Sequence, residues 1–195
     1  MVRLQPSVVP MSADDVCTVG QMWVQRRTEI GPSAESARRA VEEGRFAEAV
    51  GREHTVVLMA VLDGAPAGYV WLSLQPMAAQ FDLPTLAIED LYVLPEVRGQ
   101  GVARALLTST AAYAQKRGVD HIGCALPTQA KDSHRSLARL GFAAVVTRRV
   151  AQTGPLLRRL RGSESRSGGV DQLLLQRRRR AQRSRIETEA LVAHS

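Results

Sequence analysis

Apolar and polar positions along the chain switch between helical and strand spacing, and these switches predict the order of its elements. Helical spacing predicts four helices, at residues 12–30, 33–50, 102–117 and 132–140, the second broken at Gly44. Alternating or continuous apolar runs predict seven strands, at residues 3–9, 55–62, 68–74, 85–94, 121–126, 143–151 and 170–176. The order β-α-α-β-β-β-α-β-α-β-β fits one α/β domain of this length with room for an appendage.

The segment from Leu91 to Ala103 joins a predicted strand to a predicted helix through a turn rich in arginine and glycine. The first N–H groups of a helix have no intrahelical partner and lie at the positive end of its dipole. Gly99 and Gly101 allow the backbone to bend tightly and to approach a bulky anion without an intervening Cβ. A phosphate-bearing cofactor is therefore the first hypothesis.

Two common phosphate loops do not match this turn. A P-loop needs Lys-Ser or Lys-Thr after its last glycine, and the dinucleotide fingerprint needs a third glycine where Arg104 stands. The sequence Arg98-x-x-Gly101-x-Ala103 instead resembles the acyl-CoA pyrophosphate loop, R/Q-x-x-G-x-G/A, of the GNAT superfamily of N-acetyltransferases. The preceding strand is similar to that family's fourth strand, and Leu140-Gly141-Phe142 resembles its "LGF" ending. The resemblance covers residues 55–150.

This resemblance implies a mixed, strongly twisted central sheet with helices on both faces and with the fourth and fifth strands splayed apart. It implies acetyl-CoA as co-substrate, without a metal, and its pantetheine arm lying between the splayed strands. The residues implied to bind it are Leu91 and Val93 through their main chain, then Arg98, Gly99, Gly101, Val102 and Ala103 around the pyrophosphate, with Arg104 at the mouth. The acetyltransferase domain is predicted to span residues 1–176, and an arginine-rich extension residues 177–195.

Acetyl transfer to an amine needs a proton acceptor, a stabilised oxyanion and an acid for the departing thiolate. Glu89 and Asp90 directly precede the predicted pantetheine segment, and the pair resembles the matching strand of diamine and polyamine acetyltransferases, where the glutamate is a proposed base. Strand alternation puts the two carboxylates on opposite faces unless a bulge intervenes. Glu89 is favoured as the base, and an edge-strand carboxylate paired with a surface arginine is the alternative.

The general acid is the point at which the sequence departs from the family pattern. Leu137 stands where many members have a tyrosine facing the CoA sulfur, and Ala130 stands where an asparagine often opens the same helix. The nearby candidates are Thr128, Ser133 and His134, and Cys124 could act as an acyl relay. Water can protonate a CoA thiolate, so catalysis remains the first hypothesis and a catalytically reduced acyl-CoA-binding regulator the second.

The formal net charge of +7 is concentrated near the end of the chain. Residues 1–144 carry 14 basic and 15 acidic side chains, whereas residues 145–195 carry 12 basic and 4 acidic ones. The run from Arg177 to Arg185 indicates weak polyanion binding, to RNA or a ribosome, or else a solvated extension. No aromatic residue follows Phe142, so base stacking is not predicted.

Composition limits the class of protein to which the chain can belong. Apolar runs never approach eighteen residues, the first residues form no apolar leader, and the two cysteines show no C-x-x-C spacing. These features predict a cytoplasmic protein that does not cross a membrane and has no disulfide framework or zinc site. The prediction is a direct N-acetyltransferase acting on a primary amine. The acceptor and a homodimeric state are left open by the sequence.

Overall fold

The computed structural model describes residues 5–31, 34–76, 84–146 and 149–161. The chain divides into two compact units, Met1–Ser136 and Leu137–Ser195. The first unit contains every strand found in the described residues, and the second contains a helix at residues 153–161. The strand predicted at residues 170–176 and the basic extension at 177–195 lie outside the described ranges, so the predicted domain boundary stays a prediction.

Five strands of the described chain form one mixed sheet in the order β1-β2-β3-β4-β5. The strands are β1 Ser7–Pro10, β2 Thr55–Leu62, β3 Ala65–Pro76, β4 Pro84–Val93 and β5 His121–Cys124. The pairs from β1 to β4 are antiparallel, and β5 runs parallel to β4. The predicted mixed sheet is confirmed, and its four long-range pairings follow the chain order.

Helices cover both faces of this sheet, as predicted. The helices are α1 Val16–Ile30, α2 Ala34–Glu42, α3 Arg45–Val50, α4 Val102–Lys116 and α5 Lys131–Arg139. The predicted break at Gly44 separates α2 from α3, and Gly44 has a left-handed φ of 75°. None of the helices in the described ranges is long and apolar enough to cross a membrane.

Side-chain alternation along the strands builds one apolar core on each face. On the α4 face, Leu106 and Val102 pack with Leu58, Val70 and Leu72 of β2 and β3. The opposite face holds the aromatic core, whose buried members are Val19, Met22, Phe46, Val50, Val57, Met59, Tyr69 and Tyr92. Burial on both faces makes the central strands rigid, which is what a site on β4 requires.

A glycine in β3 determines how closely β4 approaches. A Cβ at Gly68 would collide with the carbonyl oxygen of Tyr92 and lie 3.1 Å from Cα of Val93. No other residue fits there without moving β4. Gly68 therefore holds the end of β4 in the position from which the glycine-rich turn starts.

The end of α5 follows the prediction, whereas the strand predicted after it is wrong. Gly141 has a φ of 92°, and Phe142 N–H donates to Leu137 O at 3.1 Å, as in a glycine C-cap. Residues 142–146 and 149–150 form no strand. Val150 in this segment is 91% exposed. Residues with β-branched side chains do not form a strand unless a neighbouring strand is there to pair with them.

Candidate active site

The edge of β4 that faces β5 is only partly covered. The parallel pairing ends at Ile88↔Cys124, where β5 also ends, whereas β4 continues to Val93. Beyond Ile88, none of the strands in the described ranges pairs with this edge. β4 therefore extends beyond the end of β5, and the backbone from Leu91 to Val93 lies along the uncovered part of this edge.

Side chains already satisfy half of the polar backbone groups on this open edge. Leu91 N–H donates to Oδ1 of Asp90 at 3.1 Å, and the carbonyl of Val93 accepts from Nε of Arg98 at 3.1 Å. Alternate residues of a strand direct their N–H and C=O groups to the same edge. In the part of the chain that the structure describes, the carbonyl of Leu91 and the N–H of Val93 are thus the groups that remain for an extended ligand.

The turn after β4 exposes its backbone in front of α4. Gly99 and Gly101 have φ values of 79° and 89°, and a Cβ at either position would meet no atom within 4 Å. The first helical bond runs from Ala105 N–H to Gly101 O at 3.0 Å. The N–H groups of Val102 and Ala103 precede that bond and stay available to an anion.

Side chains around the turn differ in what they can contribute. Val102 is buried in the core on the α4 face, so only its backbone can contact a ligand. Ala103 and Arg104 are exposed, and Arg104 adds a cation beside the turn. The side chain of Arg98 is half exposed and lies over the ring of Tyr92, 5.7 Å from its centre.

Arg98 also pairs with a carboxylate from α1. Its Nη2 donates to Oε2 of Glu29 at 2.6 Å, and the phenol of Tyr92 donates to Oε1 of the same carboxylate. Burial opposes the charge of Glu29, but the bonds from Tyr92 and Arg98 outweigh it and hold the pKa of Glu29 below its usual range. The same hydrogen bond from Arg98 raises the pKa of its guanidinium, which therefore stays charged.

A β-bulge changes the predicted orientation of the two acidic residues of β4. Trp71 of β3 pairs with Asp90 and Leu72 pairs with Ile88, so Glu89 is the extra residue between them. A bulge resets strand alternation after the extra residue. Both carboxylates consequently lie on the face of the aromatic core, and the opposite-face arrangement expected for a regular strand does not occur.

Glu89 is exposed, and one of its oxygens is held by β3. Ser73 Oγ and Gln75 Nε2 both donate to Oε1 of Glu89, and Gln75 Nε2 also donates to Ser73 Oγ at 3.0 Å. Within the described ranges no hydrogen bond reaches Oε2. The carboxylate is thus oriented through one oxygen, and the other can accept a proton from an amine or a water.

Asp90 occupies a more enclosed position in which both oxygens have partners. Tyr69 donates its phenol to Oδ2 at 2.8 Å, and Nε of Arg26 lies 3.4 Å from Oδ1. Burial first and the charge of Asp90 second raise the pKa of Tyr69, so its phenol remains a donor. The side chain of Asp90 is 17% exposed. Both oxygens of Asp90 thus accept hydrogen bonds, whereas Oε2 of Glu89 accepts none from the described residues.

Replacing Asp90 with asparagine is expected to lower the free energy of unfolding by about 1–3 kcal/mol, because an amide group cannot accept all three hydrogen bonds and leaves Arg26 without a counter-charge. Urea denaturation measures the loss. Asp132→Asn is the matched control, since that carboxylate is 93% exposed and its pairing with Arg135 contributes little. A stable Asp90→Asn variant without turnover would instead make Asp90 the catalytic carboxylate.

The candidates for the general acid differ in their surroundings and in what each can contribute. Leu137 is a half-buried residue of α5 and offers no proton. Nε2 of His134 donates to the carbonyl of Pro127 at 3.0 Å, which joins α5 to the loop after β5. Thr128 and Ser133 are exposed. Burial raises the pKa of the Cys124 thiol, which keeps it protonated and a poor acyl relay.

Sequence reasoning missed Glu29 and the donors to Glu89. Glu29 pairs with groups more than sixty positions away, so no local pattern connects them. One signal was nevertheless available. A carboxylate in the last turn of a helix is disfavoured by the helix dipole, and its presence in α1 indicates a compensating cation nearby.

Comparison with known proteins gives a consistent picture. The model of the acetyltransferase (GNAT) family matches residues 21–142. Aminoglycoside N(6')-acetyltransferase type 1 from Klebsiella aerogenes is 30% identical over 144 residues, which cover 72% of this chain and 91% of the relative. The match to the family model includes β4, the glycine-rich turn and α4.

Two solved structures share the fold at lower identity. Aminoglycoside N-acetyltransferase AAC(6')-Iy in complex with CoA superposes with a TM-score of 0.61 at 18% identity, over 77% of this chain and 95% of that one. Ribosomal-protein-alanine N-acetyltransferase from Brucella melitensis biovar Abortus 2308 gives 0.58 at 19% identity, over 76% and 99%. The names of these two proteins describe different acceptors, so the shared fold does not select one.

Proposed function

The chain belongs to the GNAT family of acetyltransferases, and from this membership we propose that it transfers the acetyl group of acetyl-CoA directly to a primary amine, with Glu89 as general base. The family membership makes it an acyl-CoA-dependent N-acetyltransferase. The direct route and the roles of individual residues are our proposal. The observation that carries them is one strand–turn–helix unit with an open edge, an exposed glycine turn and an oriented carboxylate.

The reaction needs few groups from the protein. The neutral amine attacks the thioester carbonyl carbon, the C–S bond breaks, and the amine proton passes to Oε2 of Glu89 directly or through a water. Because Leu137 replaces the family tyrosine, the departing thiolate takes its proton from water.

The turn supplies the cofactor contacts in this proposal. The free N–H groups at the start of α4, together with Arg98 and Arg104, match the charge and size of a pyrophosphate. The pantetheine arm, which carries amide groups, would bind the carbonyl of Leu91 and the N–H of Val93 as an added strand does.

The acceptor is a primary amine, and its finer identity is suggested by the relative. Because the Klebsiella aerogenes protein is named as an aminoglycoside N(6')-acetyltransferase, an aminoglycoside 6'-amine is the first acceptor to test. Small diamines and peptide amines complete the set, since family members with this fold differ in acceptor.

An acetyl-CoA assay that measures release of free thiol tests this function. We expect turnover with at least one primary amine from a panel of aminoglycosides, diamines and short peptides, and none with the N,N-dimethylated form of that amine. Acetyl-CoA binding without turnover on any acceptor favours the acyl-CoA-binding regulator. Absence of binding contradicts both functions.

We further propose weak polyanion binding by the basic extension, separate from acetyl transfer. Replacing Arg177, Arg178, Arg179 and Arg180 with glutamine is expected to weaken RNA binding at low salt and to leave thiol release unchanged, because the charge excess follows residue 144. Filter binding at several salt concentrations measures it. For the wild type, the logarithm of the binding constant should fall with the logarithm of salt concentration, with a slope of roughly −0.7 per phosphate contacted on single-stranded RNA. Equal binding by the variant and the wild type would remove this proposal.

A further inference from the structure

We propose that Glu29 of α1 is a positioning residue for the cofactor turn, which it controls by fixing the guanidinium of Arg98 in the orientation that accepts the pyrophosphate. The inference rests on the proposed function, because it assumes that the turn binds phosphate. It concerns a residue of the first helix, distant in sequence from the strand, turn and helix that form the proposed cofactor site.

Both oxygens of Glu29 are committed to this part of the molecule. Oε2 accepts from Nη2 of Arg98 at 2.6 Å, and Oε1 accepts from the phenol of Tyr92, a buried residue of β4. The carboxylate therefore connects the end of α1 to the strand and to the turn at the same time. Its side chain is 31% exposed, so solvent screens these bonds only in part.

Arg98 is held from two directions and keeps donors to spare. Nε donates to the carbonyl of Val93, Nη2 donates to Glu29, and the ring of Tyr92 lies below the guanidinium. A guanidinium has five N–H donors in a rigid fork, so these contacts leave donors on the half-exposed side free. A phosphate can be bound there without breaking either existing bond, which is how a preformed site binds an anion at low entropic cost.

The position of Glu29 argues against a merely incidental ion pair. It lies in the last turn of α1, where the helix dipole disfavours an anion. An exposed surface pair does not need a second donor from a buried tyrosine of the cofactor strand. The arrangement matches a support for Arg98, because it orders the side chain before the ligand arrives.

Replacing Glu29 with glutamine is expected to raise the Kd for acetyl-CoA about 10-fold while kcat at saturation changes by less than about 3-fold. A glutamine side chain has one acceptor oxygen, so it can accept from Arg98 or Tyr92 in the same geometry but not from both. Glu35→Gln is the matched control, because that carboxylate pairs with Arg38 and Arg39 on the exposed face of α2. Its Kd should equal that of the wild type.

The test compares acetyl-CoA with acetyl-pantetheine, which lacks the pyrophosphate. We expect Glu29→Gln to lose affinity for acetyl-CoA only. Equal loss for both thioesters would show that Glu29 supports β4 and not the turn, and unchanged or tighter acetyl-CoA binding would show that it does not position Arg98 for the phosphate. Either result overturns the inference. If the wild type itself does not distinguish the two thioesters, the turn is not the phosphate site and the proposed function fails first.

Arg98→Lys is a second variant, which changes the other partner of the ion pair between Arg98 and Glu29. A lysine cannot bond Val93, Glu29 and a phosphate in one plane, so we expect a similar loss of acetyl-CoA affinity. The Kd of the double variant for acetyl-CoA should then be at most about twice that of the single variant that binds more weakly, because both changes remove the same support. If the two losses of binding free energy add in the double variant, Glu29 and Arg98 act independently and the inference is overturned. Circular dichroism melting of each variant confirms that it is folded.

Discussion

Replacing Glu89 with glutamine is expected to reduce kcat roughly 10²-fold and to leave the Kd for acetyl-CoA within about 2-fold of the wild type. The substitution keeps the size of the side chain and an oxygen that can accept from Ser73 and Gln75. It removes the carboxylate oxygen to which no described residue donates and which would accept the amine proton. The effect should therefore fall on turnover and not on binding.

Steady-state thiol release together with calorimetric titration of acetyl-CoA measures both quantities. Glu53→Gln is the matched control, since that side chain is 90% exposed in the loop before β2, and it should match the wild type. Raising the pH should partly restore turnover in Glu89→Gln, because more of the amine is then neutral without a base. Full activity with an unaltered pH profile would return Glu89 to a structural role and direct attention to Asp90 or a water chain.

Replacing Gly101 with aspartate is expected to weaken acetyl-CoA binding by about 30-fold or more. The new carboxylate would stand beside the free N–H groups at the start of α4, where the pyrophosphate is proposed to lie. Repulsion between the two anions and the loss of N–H contacts each cost on the order of 1 kcal/mol or more. The Cβ position is open, so the fold itself should survive.

The backbone at Gly101 complicates this substitution, and asparagine provides the control. With a φ of 89°, any side chain is strained there, although aspartate and asparagine tolerate left-handed backbone better than most residues. Gly101→Asn has the same strain and nearly the same volume without the charge. Calorimetric titration should give a much smaller loss for asparagine than for aspartate. Equal losses would mean that shape and not charge decides binding, and unchanged binding in both would exclude the turn as the phosphate site.

The elements that the sequence predicted well are those whose hydrophobic pattern is also their burial pattern. The predicted strand at residues 55–62 coincides with β2, and the predicted helix at 102–117 ends one residue beyond α4. The strand predicted at 143–151 failed for the opposite reason. Its valines have strand propensity, but Val145, Val146 and Val150 are exposed and pair with no strand in the described ranges.

The sequence predicted which segment forms the candidate site, but not how the side chains of that site are arranged. The glycine turn could be read from the residues, because a helix start and a flexible backbone are local properties. The bulge at Glu89 could not, because Ile88, Glu89 and Asp90 are all compatible with a regular strand, and the pairing with Trp71 and Leu72 decides the register. The support from Glu29 is equally invisible, since it depends on how α1 packs against β4.

The open edge of β4 also bears on how the protein behaves in a test tube. An exposed strand edge offers its N–H and C=O groups to any extended chain, including the same edge of another molecule. Past Ile88 this edge has no strand partner in the ranges that the structure describes. A bound pantetheine arm would cover it, and ligand at about 100 times its Kd would stabilise the covered form by about 2.7 kcal/mol. In the proposed binding mode, the supply of acetyl-CoA would therefore affect aggregation during storage as well as turnover.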